Sequence, residues 1–246
     1  MSTLISFDVD GTLITSVGNH ANRLHKLAFA AAWKEVFNLD ADIDAIKHHG
    51  STDPLILLRI LEHHGISKEA GMERLKDMEQ IMCQYFGQHQ QRAGEGIELL
   101  PGVMELLVKL RERGDVATCL VTGNLEPIGW AKMAALGLRD HFSSPHFGGF
   151  GSDFCSGDTL NSWRDRAELV RIAAKRAEES VGTIGARFHV GDTPMDLQAA
   201  AEAGAQAIGV TTGIYSRQEL EATGVDAIIL ENLADLEAVF RAFNLA

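Results

Sequence analysis

The feature that most constrains the fold of this chain is the alternation of short apolar segments with helical patterns after Leu99. Four apolar segments have the length of buried strands: 116–121, 186–190, 205–210 and 226–230. Helical patterns lie around them at 101–114, 125–136, 164–180, 195–203, 216–222 and 232–243. This alternation is typical of a parallel sheet that is covered by helices on both faces. The segment 143–163, rich in Gly and Ser, predicts a long loop at a strand end.

A helical insertion separates the first strand from this later series. Residues 4–7 form a short apolar run, but from about 19 to 91 the apolar residues recur at spacings of three and four, with no convincing strand. We therefore predict an α/β fold with a Rossmann-like parallel-sheet core and helices on both of its faces. The core would comprise residues 1–17 and 92–246, and residues 18–91 would form an inserted all-helical domain, which we call the cap.

Charge and composition exclude several classes of protein. The chain has 22 Lys and Arg against 34 Asp and Glu, a net charge of −12 with no basic cluster, so we expect no nucleic-acid partner. No apolar run is long enough to span a bilayer, and the N-terminus lacks the basic segment of a signal peptide. The three cysteines form no CxxC pair, which is typical of reduced thiols. We expect a cytoplasmic protein without a membrane partner.

Acidic and polar side chains follow the predicted strands at their carboxyl ends. Asp8 and Asp10 follow the first strand, Thr122-Gly123-Asn124 ends the second, and Asp192 and Asp196 follow the strand at 186–190. In open α/β sheets the ligand crevice lies outside the carboxyl ends of the strands. Each motif alone is common in turns and helix caps, but their conjunction at one edge of the sheet indicates a functional site.

These residue types support metal-assisted phosphoryl chemistry. Oxygens of Asp8, Asp192 and a backbone carbonyl form a donor set that suits Mg²⁺, which also takes phosphate oxygens as ligands. Asp8 then keeps one oxygen free to act as a nucleophile. Asp10 can protonate a leaving oxygen and afterwards activate water.

Groups that would hold an anionic phosphoryl group also lie near this edge. Thr122 and Asn124, with the N–H groups of the loop, can bind phosphoryl oxygens. A cation is needed as well, and Arg164 or Arg166 at the start of the 164–180 helix can supply it. The sequence thus predicts a site that stabilises negative charge on a transferring group.

Three segments resemble motifs of the haloacid dehalogenase-like hydrolase superfamily. Asp8-Val9-Asp10-Gly11-Thr12-Leu13 resembles its first motif, residues 121–124 its second, and residues 191–196 its fourth. The position of the helical insertion matches the cap of this family. The chain is most similar to the capped phosphatase branch that includes phosphoglycolate phosphatases and beta-phosphoglucomutase. Asp at position 10 favours phosphatases over the dehalogenases that name the superfamily.

The resemblance implies a phosphoaspartate mechanism, with Asp8 as the nucleophile and Asp10 as the general acid and base. Mg²⁺ would be bound by Asp8, the backbone carbonyl of Asp10 and Asp192, with Asp196 close by in a supporting role. The second motif would bind the phosphoryl group through Thr122, Gly123 and Asn124.

One motif departs from the family pattern. The third motif usually offers a lysine followed by proline, whereas this chain has arginine and no proline. Arg164 takes the place of the lysine without gaps, and Arg166 takes it if the loop is shortened. We favour Arg166, because Asp165-Arg166 lies where the helix begins, and keep both as candidates. Either arginine would neutralise Asp8 and phosphate but would not donate a proton.

The cap should select the substrate. In this superfamily, capped members of this size act on small phosphorylated metabolites. Residues 48–53 resemble the specificity loop of the cap and offer Ser, Thr and Asp, where sugar-phosphate mutases place basic side chains for a second phosphate. We therefore predict a phosphatase acting on a small phosphorylated metabolite, as a monomer or homodimer. The alternatives are a sugar-phosphate mutase and a non-catalytic binding module with the same fold.

Overall fold

A computed structural model describes residues 1–245 of the chain. Within these residues there are eight strands: β1 (Ser2–Phe7), β2 (Ile14–Ser16), β3 (Ile97–Leu99), β4 (Val116–Thr122), β5 (Gly148–Phe150), β6 (Ile184–Gly191), β7 (Gln206–Val210) and β8 (Ala227–Leu230). Six of them form one parallel sheet in the order β5-β4-β1-β6-β7-β8, and β2 pairs with β3 in a separate antiparallel ribbon. The predicted α/β fold with a parallel-sheet core is confirmed.

Ten α-helices occur in the same residues: α1 (Arg23–Phe37), α2 (Asp53–His63), α3 (Lys68–Glu73), α4 (Leu75–Gln88), α5 (Val103–Arg111), α6 (Glu126–Ala135), α7 (Ser162–Val181), α8 (Pro194–Glu202), α9 (Arg217–Glu221) and α10 (Leu236–Ala242). The start of α8 shows how the sequence sets these bounds. Pro194 occupies its first turn, and Thr193 and Asp196 cap it reciprocally through their side chains and backbone N–H groups. No described helix has both the length and the apolar character that crossing a membrane requires.

The two faces of the sheet bury different hydrophobic clusters. Along β1, Ile5 and Phe7 contribute to a cluster with residues of α5 and α10, whereas Leu4 contributes to a second cluster with residues of α7 and α8. Successive side chains of a strand point to opposite faces, so this apolar run supplies both clusters. Helices on both faces leave the carboxyl ends of the strands as the place for a site.

Helices α1–α4 lie between β2 and β3 in the sequence, and α1, α2 and α4 share a third cluster. Trp33 of α1 is fully buried in it and donates its indole N–H to the Leu57 carbonyl of α2 at 3.2 Å. The cluster also contains Leu125, which directly precedes α6, and Ile128 and Ala131, which lie within α6. The helices of the insertion therefore pack directly against a helix that follows β4.

The segment 143–163, which we predicted to be a long loop, contains the edge strand β5. Its residues Gly148 and Gly149 have no strand preference, so the sequence pattern hid it. A Cβ at Gly149 would overlap the Leu169 carbonyl of α7, so glycine is what lets α7 approach this edge. The prediction of a loop throughout this segment is wrong for these residues.

Candidate active site

Three aspartates meet at the carboxyl ends of β1 and β6. Asp8 follows β1, and its backbone N–H donates to the Val190 carbonyl of β6 at 2.9 Å. Asp192 follows β6, and Asp196 lies in the first turn of α8. One carboxylate oxygen from each lies within 4.8 Å of the other two, and all three residues are buried.

The turn after β1 brings the first motif against Asp192. Gly11 has φ +92°, a conformation that L side chains rarely adopt, and a Cβ there would overlap the Asp192 carboxylate. The next residue, Thr12, donates its hydroxyl to Asp192 Oδ1 at 3.2 Å. The glycine and the threonine of this motif therefore fix the position of an acid far away in the sequence.

Of the two candidate arginines, Arg166 lies beside the acids. Its Nη1 donates to Asp8 Oδ1 at 3.1 Å and to Asp196 Oδ1 at 2.6 Å, and its side chain is only 4% exposed. Arg164 is exposed, and its guanidinium lies 5.3 Å from the centre of the Trp163 ring. Arg164 therefore lies outside the site. Residues two positions apart on a helix point to different sides, so α7 directs only Arg166 toward the acids.

Asp196 is already held by hydrogen bonds on both oxygens. Its Oδ2 accepts from the Thr193 backbone N–H at 3.0 Å and from the Thr193 hydroxyl at 2.7 Å, while Oδ1 accepts from Arg166. His189 Nε2 lies 3.6 Å from Oδ1. Asp196 is thus arranged to hold Arg166 and the start of α8.

The electrostatics of the acids call for a further cation. Burial raises the pKa of Asp8 to about 6 although Arg166 opposes this shift. Burial and then the charges of Asp196 and Asp8 raise the pKa of Asp192 well above its ordinary value. For Asp196, burial is outweighed by Arg166, which lowers the pKa to about 2. Buried, mutually repelling carboxylate oxygens fit Mg²⁺, a hard cation that prefers oxygen ligands.

Asp10 faces away from this cluster, toward α6. Asn124 Nδ2 donates to Asp10 Oδ2 at 2.8 Å and to Thr122 Oγ1 at 2.7 Å, so both N–H bonds of that amide are in use. Thr122 Oγ1 accepts this bond and keeps its own hydrogen to donate. In this arrangement the Asn124 side chain orients Asp10, and Thr122 is the residue with a free donor for an anion.

Sequence reasoning missed Lys132. Its Nζ donates to both Asp10 oxygens, at 2.9 and 2.8 Å, and to Asn124 Oδ1 at 2.9 Å. Burial by itself raises the pKa of Asp10, but the charge and the hydrogen bonds of the Lys132 ammonium outweigh burial and lower this pKa. The sequence gives no sign that this lysine, in an amphipathic helix, is buried. Its position eight residues after Asn124 is the signal that could have placed it on the same side as the second motif.

The loop before α2 docks directly on the second motif. The Gly123 carbonyl accepts from the Asp53 backbone N–H at 2.8 Å, and the Gly50 carbonyl accepts from Arg166 Nε at 3.0 Å. A Cβ at Gly123 would overlap the Ser51 carbonyl and lie 2.9 Å from the Thr52 Cα. The glycine of the second motif therefore makes room for the cap.

A cavity of about 270 Å³ lies between the cap and the acids. Core residues that line it include Asp8, Asp10, Thr122, Arg166 and Asp192, and cap residues include His25, His48, His49 and Ser51. The Ser51 hydroxyl is buried and has no hydrogen-bond partner among the side chains and backbone groups that the structure describes. Groups of this kind provide binding energy when a ligand supplies the missing partner.

Comparison with known proteins gives similarities in sequence over most of the chain. The model of a hydrolase family, the haloacid dehalogenase-like hydrolases, matches residues 3–204. A phosphoglycolate phosphatase from Pectobacterium atrosepticum is 26% identical over 235 residues, covering 94% of this chain and 89% of that protein. A phosphoglycolate phosphatase from Pseudomonas putida is 26% identical over 230 residues, covering 92% of this chain and 75% of that protein.

Solved structures share the fold over nearly the whole chain. A hydrolase from Pseudomonas syringae superposes with a TM-score of 0.60 at 23% identity, covering 96% of both chains. CbbY from Rhodobacter sphaeroides, solved in complex with phosphate, gives a TM-score of 0.63 at 22% identity, also covering 96% of both chains. At these identities the similarity concerns the fold alone.

Proposed function

Because this chain belongs to the haloacid dehalogenase-like hydrolase family, we propose that it is a Mg²⁺-dependent phosphatase that forms a phosphoaspartate on Asp8. The observation that carries the proposal is the buried cluster of Asp8, Asp192 and Asp196 oxygens within 4.8 Å of one another. Asp8 and Asp192 of this cluster also line the cavity. Such a cluster is costly to stability without a cation, and it is the donor set that a phosphoryl-transfer enzyme needs.

The metal would be held by Asp8, Asp192 and the backbone carbonyl of Asp10, with Asp196 in support. When bound, Mg²⁺ supplies positive charge that offsets the repulsion among the carboxylates and the charge of the phosphoryl oxygens. The remaining groups act through their own contacts, since Arg166 already neutralises one oxygen of Asp8.

In the first half of the reaction, a carboxylate oxygen of Asp8 forms a bond to phosphorus and the bond to the leaving oxygen breaks. Asp10 donates a proton to that leaving oxygen. In the second half, water attacks phosphorus, the bond to Asp8 breaks, and Asp10 accepts the water proton. Thr122 donates its free hydroxyl hydrogen to a phosphoryl oxygen, and Arg166 stabilises the charge beside Asp8.

The substrate is a small phosphomonoester. At about 270 Å³ the cavity is slightly smaller than the usual ligand sites, whose volumes run from about 300 to 1,000 Å³. Two relatives are named phosphoglycolate phosphatases, so 2-phosphoglycolate is the first compound that we would assay, followed by sugar phosphates and nucleoside monophosphates.

Asp8, as the proposed nucleophile, should be indispensable for turnover. Asp8→Asn should lower Mg²⁺-dependent phosphate release by at least about 10³-fold, since the amide is a poor nucleophile and residues of a catalytic unit carry losses of this size. The assay is phosphate release from 4-nitrophenyl phosphate and from the substrate panel, with and without Mg²⁺. Asp40→Asn, at an exposed position after the end of α1, is the matched control. Wild-type activity in Asp8→Asn would refute the proposed mechanism.

A further inference from the structure

Lys132 is a buried cation whose donors are all in use. Its side chain is 1% exposed, and its Nζ contacts both Asp10 oxygens, Asn124 Oδ1 at 2.9 Å and His25 Nδ1 at 3.3 Å. An ammonium has three N–H bonds, and these partners account for them. Lys132 is not among the residues that line the cavity, so it acts on a substrate only through the residues that it contacts. Of these, Asp10 is the one whose two oxygens it holds.

Asp10 links this buried ammonium to the cavity. The Asp10 side chain is 37% exposed and forms part of the cavity wall, whereas Lys132 lies behind it. Two hydrogen bonds from one ammonium to both oxygens fix the plane of a carboxylate more firmly than one bond would. Oδ2 also accepts from Asn124, and Oδ1 accepts a longer bond, at 3.4 Å, from Asn22 Nδ2. Asn22 lines the cavity, so its weakly held place on Oδ1 is the one that a water molecule in the cavity can take.

The fourth partner of Lys132 comes from the cap. His25 of α1 forms a hydrogen bond through its Nε2 to Asp53 Oδ2, at 2.9 Å. The same carboxylate oxygen accepts the Leu125 backbone N–H at 3.0 Å. Because Nε2 donates to Asp53, Nδ1 is the nitrogen that accepts from Lys132. The docked cap thus completes the set of acceptors around Lys132.

We propose that Lys132 is a positioning residue, whose ammonium holds the Asp10 carboxylate in the orientation in which it takes a proton from the attacking water. The inference rests on the proposed function, because it requires a phosphoaspartate on Asp8. In that step the water oxygen bonds to phosphorus, the bond from phosphorus to the Asp8 oxygen breaks, and its electron pair returns to the Asp8 carboxylate. The water proton passes to Asp10, and inorganic phosphate leaves.

The test separates the two half-reactions by rapid-quench kinetics with 4-nitrophenyl phosphate and Mg²⁺. Its leaving group needs little help from an acid, so formation of the phosphoenzyme should change less than about threefold in Lys132→Met. Breakdown should slow by about 10–100-fold, part of the usual contribution of a general base, and the phosphoenzyme should accumulate. Lys109→Met, which removes an exposed lysine paired with Glu112, is the control and should change neither step.

A second measurement distinguishes positioning from a structural role. Lys132→Met should add no further loss of the breakdown rate in an Asp10→Asn background, because both changes act through the same carboxylate. Lys132→Gln, which keeps an N–H donor, should recover part of the rate. Thermal melts check that each variant folds.

Several outcomes would overturn the proposal. Equal losses in both half-reactions, an additive loss in the Asp10→Asn background, or a failure of both Lys132 variants to fold would show that Lys132 is structural. If the wild-type protein hydrolyses no phosphomonoester, the proposed function itself fails and takes the role of Lys132 with it. If instead the wild type is active and Lys132→Met leaves the breakdown rate unchanged, only the inference about Lys132 is refuted.

Discussion

The guanidinium of Arg166 contacts three parts of the molecule at once. Nη1 donates to Asp8 and to Asp196, and Nε donates to the Gly50 carbonyl in the cap. A lysine ammonium at the end of a flexible chain has the same charge but lacks this planar fork of donors. Arginine at this position therefore links Asp8, Asp196 of α8 and the cap loop through one rigid group.

Arg166→Lys should keep part of the activity, and Arg166→Met should lose most of it. We expect about a tenfold lower kcat/KM for lysine, which keeps the charge, and a loss of about 10²–10³-fold for methionine, the range for removing one stabilising donor from a site. The measurement is Mg²⁺-dependent phosphate release. Arg164→Met is the matched control and should retain wild-type activity, because Arg164 lies exposed against Trp163. A larger loss in Arg164→Met than in Arg166→Met would reverse the assignment.

At the scale of residues, strand ends could be located from the sequence and buried partners could not. An apolar run that stops at an acid marks the end of a strand, so Asp8 and Asp192 were predicted to lie at one edge of the sheet, where the structure has them. Lys132 belongs to an ordinary helical pattern, and its burial depends on cap residues such as His25 that are distant in the sequence. Local pattern carries no information about that contact.

At the scale of elements, the loop before α2 and the end of β4 fit together through a glycine. Gly123 has a backbone conformation that alanine can adopt, but its missing Cβ makes room for Ser51 and Thr52. Two hydrogen bonds, Asp53 N–H to the Gly123 carbonyl and Leu125 N–H to Asp53 Oδ2, join the same elements. The cap is docked by close backbone approach as well as by side chains.

Gly123→Ala should displace the cap loop without unfolding the core. The added methyl group overlaps the Ser51 carbonyl, so we expect kcat/KM to fall by at least about tenfold, since small misplacements of a positioning element cost as much as 10²-fold. Steady-state kinetics and the thermal melt measure the two effects separately. Gly114→Ala, where a Cβ meets nothing within 4 Å, is the control. Unchanged kinetics in Gly123→Ala would show that this contact does not matter for turnover.

Elements with strong periodicity were predictable, and the short edge strand was not. The predicted strand at 186–190 and helix at 164–180 correspond to β6 and α7, because apolar residues repeat at the expected spacing over many positions. β5 has three residues, two of them glycine, and pairs only with β4. Its backbone is fixed by pairing and by the approach of α7, which are tertiary effects.

At the scale of the whole molecule, the acid cluster should lower the stability of the metal-free protein. Burial raises the pKa of Asp8 from its ordinary 3.8 to about 6, and the pKa of Asp192 is raised as well. A carboxyl group with a raised pKa in the folded state favours folding when protonated. Stability without metal should therefore fall as pH rises from about 4 to about 6 and stay low at neutral pH.

Asp192→Asn should stabilise the metal-free fold and abolish its response to Mg²⁺. At pH 7 with a chelator, removing one repelling charge should raise the melting temperature, by about 2–4 °C for each kcal/mol of unfolding free energy gained. Added Mg²⁺ should raise the melting temperature of the wild type, because it binds the folded cluster, but not that of the variant. Asp40→Asn, which removes an exposed partner of Lys34, should change stability little and keep the Mg²⁺ response. A variant less stable than wild type in chelator would mean that Asp192 stabilises the fold through its bond with Thr12 more than its charge destabilises it.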